Sequence, residues 1–232
     1  MKKLNDKKVV TKNVALIACF ASCYTVFCFW PLSPILGAAG KYITVATIMA
    51  PVIGIILDIH QSVPAVTLGG IVGFFLSSFN PSSFASGVAS TFFAGILQKK
   101  KRLLAVAVYS IFLLVFAFYP TVGPGWQYPL FLWLQVAGLI VLFSPLQPKP
   151  IENPADTEKV QNLTFKVGVT CFVSTLFGHI TGCLTFEALY LPTRTLWQTL
   201  TWVYPIERLL ITVAAMLVGT ALIKMLQTQK ML

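Results

Sequence analysis

Acidic residues are scarce in this chain: seven Asp and Glu stand among 232 residues, and charged residues of both signs make up 10%. An ordinary soluble domain carries about 25% charged residues. With 56% hydrophobic residues and a mean hydropathy of +0.80, the chain reads as an integral membrane protein. Its length suits several spans of about 20 residues with short connections, leaving no sizeable soluble domain. No glycine loop ending in Lys-Ser or Lys-Thr occurs, which argues against ATP hydrolysis by the chain itself. No His-Glu-x-x-His pair occurs either, which removes the commonest zinc-protease signature. Histidine is nearly missing: His60 and His179 are the two present, and the span order below puts them at opposite faces, where they share no metal. Cys19, Cys23, Cys28, Cys171 and Cys183 lie in or at the ends of apolar runs. Without the spacing of a zinc or redox site they read as small buried side chains. No metal and no cofactor is expected.

Basic charge is plentiful by contrast, and the net charge is +10. Such an excess suits a nucleic-acid binder, or the cytoplasmic loops of a membrane protein. Its placement decides between them. A polar head, 1–13, holds Lys2, Lys3, Lys7, Lys8 and Lys12. Apolar runs follow at 14–30, 42–57, 62–79, 84–97, 103–119, 130–146, 165–186 and 206–226. The head and first run resemble a signal peptide, but the many spans after them favour a retained first span. The fourth run is short for a crossing. However, Lys99-Lys100-Lys101-Arg102 belongs on the same side as the lysine-rich head, so an even number of crossings separates them. That makes 84–97 a span, and eight in all. With the N-terminus inside, fourteen basic residues face the cytoplasm against Lys41, Arg194 and Arg208 outside. The +10 is therefore topology, both termini are expected in the cytoplasm, and nucleic-acid binding is rejected.

The expected organisation is a basic head (1–13), spans one to four (14–102), a two-span hairpin (103–146), a proline-rich cytoplasmic linker (147–162), and spans seven and eight with an outer loop (163–232). Two acids, two arginines, a histidine and several aromatics crowd the stretch from His179 to Arg208. An ionisable group at the edge of a hydrocarbon layer is costly unless paired or useful. The plainer reading is that Glu207 and Arg208 mark the water boundary of the last helix. Glu187, Arg194, Trp197, Glu207, Tyr42 and His179 are the expected lining of an outer pocket for a small molecule, with apolar walls and a few placed polar groups. Arg194 and Trp197 lie in the longest outer connection, where a lid belongs, with the Trp197 ring available to stack on a solute. Glu207, near the start of its helix, also gains from the helix dipole. Convergence of His179 with Glu187 or Glu207 as a catalytic dyad leaves an enzyme acting on lipid-linked substrates open, as well as a structural membrane subunit.

The first span carries small residues at fourfold spacing, Ala15 and Cys19, with Ala18 and Ser22 alongside. That spacing lets a second helix backbone approach closely. A proline-rich outer loop follows, from Pro31 to Gly40. A short polar turn, Asp58-Ile59-His60-Gln61, leads into a glycine-rich third span, and the last span opens Pro205-Ile206-Glu207 and ends near Lys224. Over about 8–102 and 163–228 this pattern resembles the substrate-binding S component of energy-coupling factor (ECF) vitamin transporters. Such components typically have six spans, so 103–146 is an apparent insertion of two. The family's Ala-x-x-x-Ala appears here as Ala15/Cys19 and Ala18/Ser22. The resemblance implies an all-α membrane bundle with an outward pocket for a vitamin-like solute. It also implies that Ala15, Ala18, Cys19 and Ser22 meet a transmembrane coupling subunit, and that separate ATPases drive uptake.

Overall fold

In the computed structural model the described residues are 2–38, 40–76, 80–99, 101–148, 150–151 and 160–228. The acidic part of the expected linker (152–159) and the basic residues Lys100, Lys149 and Lys230 lie outside them. The chain is helical: α1 (Lys2–Cys28), α2 (Ala46–Ile56), α3 (Ile59–Leu76), α4 (Pro81–Gln98), α5 (Arg102–Ala117), a short α6 (Pro124–Gln127), a 3-10 turn (Pro129–Leu132), α7 (Trp133–Phe143), α8 (Val160–Tyr190) and α9 (Arg194–Thr228). Two short antiparallel strands, β1 (Pro31–Pro34) and β2 (Tyr42–Thr44), join α1 to α2. Among the described residues four helical stretches are long and apolar enough to cross a membrane: Thr11–Cys28, Ile59–Leu76, Asn162–Tyr190 and Arg194–Leu226. Along α9 the exposed residues Trp202, Ile206, Leu210 and Leu217 form an apolar stripe, the surface a lipid-facing helix presents.

Cross-helix contacts set the directions. Asn13 meets Gln61, and Thr25 meets Gly69, so α1 and α3 run parallel. Gly182 lies against Ser82 and Gly178 against Ser90, so α4 and α8 are antiparallel. Arg102 donates to Phe143 O at 2.7 Å and Tyr109 to Gln135 O at 2.9 Å, making α5 and α7 antiparallel. Val167 against Gly219, and Trp197 beside the α6 end of the bundle through Val122, oppose α8 and α9.

Several helix limits differ from the sequence reading. α1 starts at Lys2, so the basic head continues the first helix. Asn80-Pro81-Ser82-Ser83 does not break the pattern but opens α4. Asn80 caps the helix by accepting from Ser83 N at 2.8 Å, with Pro81 in the first turn. The resulting 18 residues reach about 27 Å at 1.5 Å per residue. Many of its small polar residues are buried against protein, so hydropathy understates this helix. It packs most extensively on α8. There a Cβ at Gly178 would stand 2.7 Å from Ser86 O and 2.9 Å from Ser90 Cβ, so only glycine permits the approach. The largest correction is at α9. The expected long outer connection shrinks to 191–193, because α9 starts at Arg194 and carries Pro205 in its interior. A proline there frees the carbonyl four residues before it, and Thr201 O instead accepts from Trp133 Nε1 at 3.4 Å. Glu207 is thus mid-helix, and the helix-dipole account of it does not apply.

Candidate functional site

A small cavity lies between α4, α8 and α9, and each wall is one helical face. α4 supplies Ser82, Ser83 and Ser86, α8 supplies His179, Gly182, Cys183 and Phe186, and α9 supplies Trp197, Leu200, Tyr204 and Arg208. These spacings of three, four and seven place side chains on a single face of each helix. Ile35 and Ile43, flanking the β1–β2 turn, close the top. Gly37 in that turn has φ +89°, a conformation that suits glycine, and presses against Leu196 and Phe186. The interior amounts to about 40 Å³ within an envelope of about 490 Å³ that includes its mouth. A water needs about 10–15 Å³, so the interior has room for about three.

Three buried polar atoms on this cavity have no hydrogen-bond partner among the described residues: His179 Nε2, Arg208 Nε and Ser82 Oγ. An unsatisfied buried group costs about 1–3 kcal/mol, so each of these three atoms gains from a polar partner. The hydrogen-bond network assigns the Gln135 amide nitrogen as donor to Phe131 O (2.9 Å) and Leu132 O (3.2 Å). Its oxygen then faces His179 Nδ1, the facing amide atom being 3.3 Å away. Nδ1 therefore carries the proton, and Nε2 is left as a bare acceptor. Tyr204 stands edge-on to the His179 ring, with centroids 5.0 Å apart, and the Arg208 guanidinium lies 5.7 Å from its ring centre. Arg208 pairs with Glu207 Oε1 at 3.0 Å, and Glu207 Oε2 accepts from Ser33 Oγ of β1 at 2.9 Å.

Comparison with protein-family models, curated proteins and solved structures finds no match to this chain. Its function is therefore read from this geometry.

Of the residues expected at an outer pocket, His179 and Trp197 line the cavity. Trp197 is no lid, however. It is fully buried, its Nε1 donates to Val122 O at 2.9 Å, and its ring packs on Phe131 (4.7 Å) and Phe116 (5.9 Å). Glu207 faces an apolar outer groove with Leu32 and Trp202 and reaches the cavity only through Arg208. Glu187 is buried, neither of its carboxyl oxygens has a partner among the described residues, and it does not line the cavity. Arg194 and Tyr42 are exposed and stand apart from it. No His–Glu pair forms: His179 Nδ1 meets Gln135, and neither Glu187 nor Glu207 is bonded to the ring. Among the described residues no group of three His, Cys, Asp or Glu is placed to hold a metal.

Sequence reasoning passed over Arg208, Tyr204, Gln135 and the α4 serines. The serines did leave a signal, since Ser82, Ser86 and Ser90 recur every fourth residue in an otherwise apolar run. Gln135 lies in the segment read as an insertion, yet α5 and α7 pack on α8, and Phe116 and Phe131 support Trp197.

Proposed function

We propose that this protein is a membrane-embedded solute-binding subunit, working in the manner of an ECF S component and accepting a vitamin-like small molecule in the cavity between α4, α8 and α9. The observation that carries the reading is that His179, Arg208 and Ser82 line one cavity from three helices, and each holds a buried polar atom with no partner among the described residues. The chain crosses the membrane eight times, with both termini cytoplasmic and the cavity toward the outer face. The alternating helix directions and the fourteen-to-three distribution of basic residues support that topology. Ala15, Ala18, Cys19 and Ser22 are all exposed on α1, leaving room for a partner helix. A transmembrane coupling subunit docks there, and separate ATPases supply the energy.

Two experiments test this. Mass spectrometry of small molecules retained by the gently purified chain should identify a bound solute, and the chain should co-purify with a transmembrane partner and ATPases. Turnover of a lipid-linked substrate by the isolated chain would instead show an enzyme. In intact cells an impermeant thiol reagent should label Trp126→Cys and not Lys101→Cys; the reverse pattern rules the topology out.

A further inference from the structure

We infer that the solute accepted by this cavity is an uncharged ring carrying an N–H donor beside a carbonyl acceptor, as in a lactam, ureide or imide. This inference rests on the solute-binding reading above and adds the chemistry of the guest.

The protein's open valences define the complement. His179 Nε2 only accepts, because Gln135 holds the proton on Nδ1. Arg208 Nε only donates, since guanidinium has no acceptor. Both side chains stand beside Tyr204, the His179 ring at 5.0 Å and the Arg208 guanidinium at 5.7 Å from its ring centre, so a small guest that satisfies both offers a donor and an acceptor. The Ser82 hydroxyl, able to donate or accept, serves a further polar atom on the same guest. A carboxylate guest satisfies Arg208 and leaves His179 facing an acceptor with an acceptor.

Charge points the same way. The Arg208 cation is already matched by Glu207 at 3.0 Å, with both side chains largely buried. A second anion in this setting leaves uncompensated negative charge in a poorly solvated place, which is costly. An uncharged guest leaves the pair balanced. The remaining walls suit a flat ring: Phe186, Trp197 and Tyr204 all line the cavity, and aromatic faces and edges pack well on planar heterocycles. Trp197 is held in place by Val122 and Phe131, so it is a fixed wall.

The test uses the full-length chain in lipid nanodiscs, stripped of retained solute, with binding followed by equilibrium dialysis. The probes are uracil, hypoxanthine and 2-imidazolidinone, against 1,3-dimethyluracil, which lacks the N–H donors, and benzoate, an anionic ring. At least one of the first three should bind, with 1,3-dimethyluracil at least tenfold weaker than uracil and benzoate undetected. Arg208→Lys, which keeps the charge but loses the Nε donor, and His179→Phe, which loses the acceptor, should each weaken the bound probe at least tenfold. Melting temperatures of both variants are measured alongside. If either variant fails to fold, the comparison of uracil with 1,3-dimethyluracil on the unmodified chain decides. Preference for benzoate, or retention of a solute without a donor–acceptor edge, overturns this inference and leaves solute binding standing. Failure of every probe together with a purified chain that retains no solute overturns both.

Discussion

Ser33 donates from Oγ to Glu207 Oε2 at 2.9 Å, tying the strand cover to the middle of α9 across 174 positions of sequence. The other oxygen of the same carboxylate pairs with Arg208, which lines the cavity. One carboxylate therefore links β1 to the cation on the cavity wall. The two links are separable by mutation, because one is a single neutral hydrogen bond and the other a largely buried ion pair.

Ser33→Ala removes only the link to the cover. A typical hydrogen bond contributes about 0.5–1.5 kcal/mol, so melting temperature should change little while bound solute leaves faster. Glu207→Gln strips Arg208 of its counter-ion. Removing one partner of a buried pair costs about 3–5 kcal/mol, and the melting temperature should fall clearly. Equal effects of the two substitutions on thermal unfolding would show that the ion pair has no special weight.

Trp197→Ala should destabilise the protein by about 3–5 kcal/mol, the usual range for truncating a buried large aromatic. The ring is fully buried among Phe116, Phe131 and Val122. A lid tryptophan stacking on solute would lose binding with little change in thermal stability. Thermal unfolding of the solute-free variant distinguishes the two, and an unchanged midpoint would return Trp197 to the cover.

Glu187 is buried with both carboxyl oxygens unpartnered. Glu187→Met fills the same space without polar atoms, and relief of an unsatisfied group is worth about 1–3 kcal/mol. The variant should melt higher than the parent. A lower melting point would mean that the carboxyl group is held by an interaction that contributes to folding.

Ala18→Trp adds bulk to the exposed face of α1, where Ala15, Cys19 and Ser22 are also exposed. Thermal stability and solute binding by the isolated chain should stay unchanged, while uptake in cells falls at least tenfold because the partner helix is held off. Loss of solute binding would instead place this face inside the fold's own packing.

Much of the chain's character follows from sequence alone, since composition reports directly on the surrounding solvent. Scarce acids and long apolar runs are what a bilayer demands wherever the helices end up. His179 could be singled out for the same reason, as a lone ionisable group in an apolar run. The tertiary structure decided what each polar residue does. Hydropathy measures suitability for lipid, and α4 lies largely enclosed by α2, α3 and α8, so its serines mark a polar cavity wall that no hydropathy window distinguishes from a weak span. Pro205 looked like a helix start because its effect depends on a distant partner: Trp133 takes up the freed Thr201 carbonyl and α9 continues. Through that continuity Arg208 lines the cavity together with His179, while Glu207 beside it borders the outer groove. Their roles arise from contacts between residues far apart in sequence, and local pattern carries no record of such contacts.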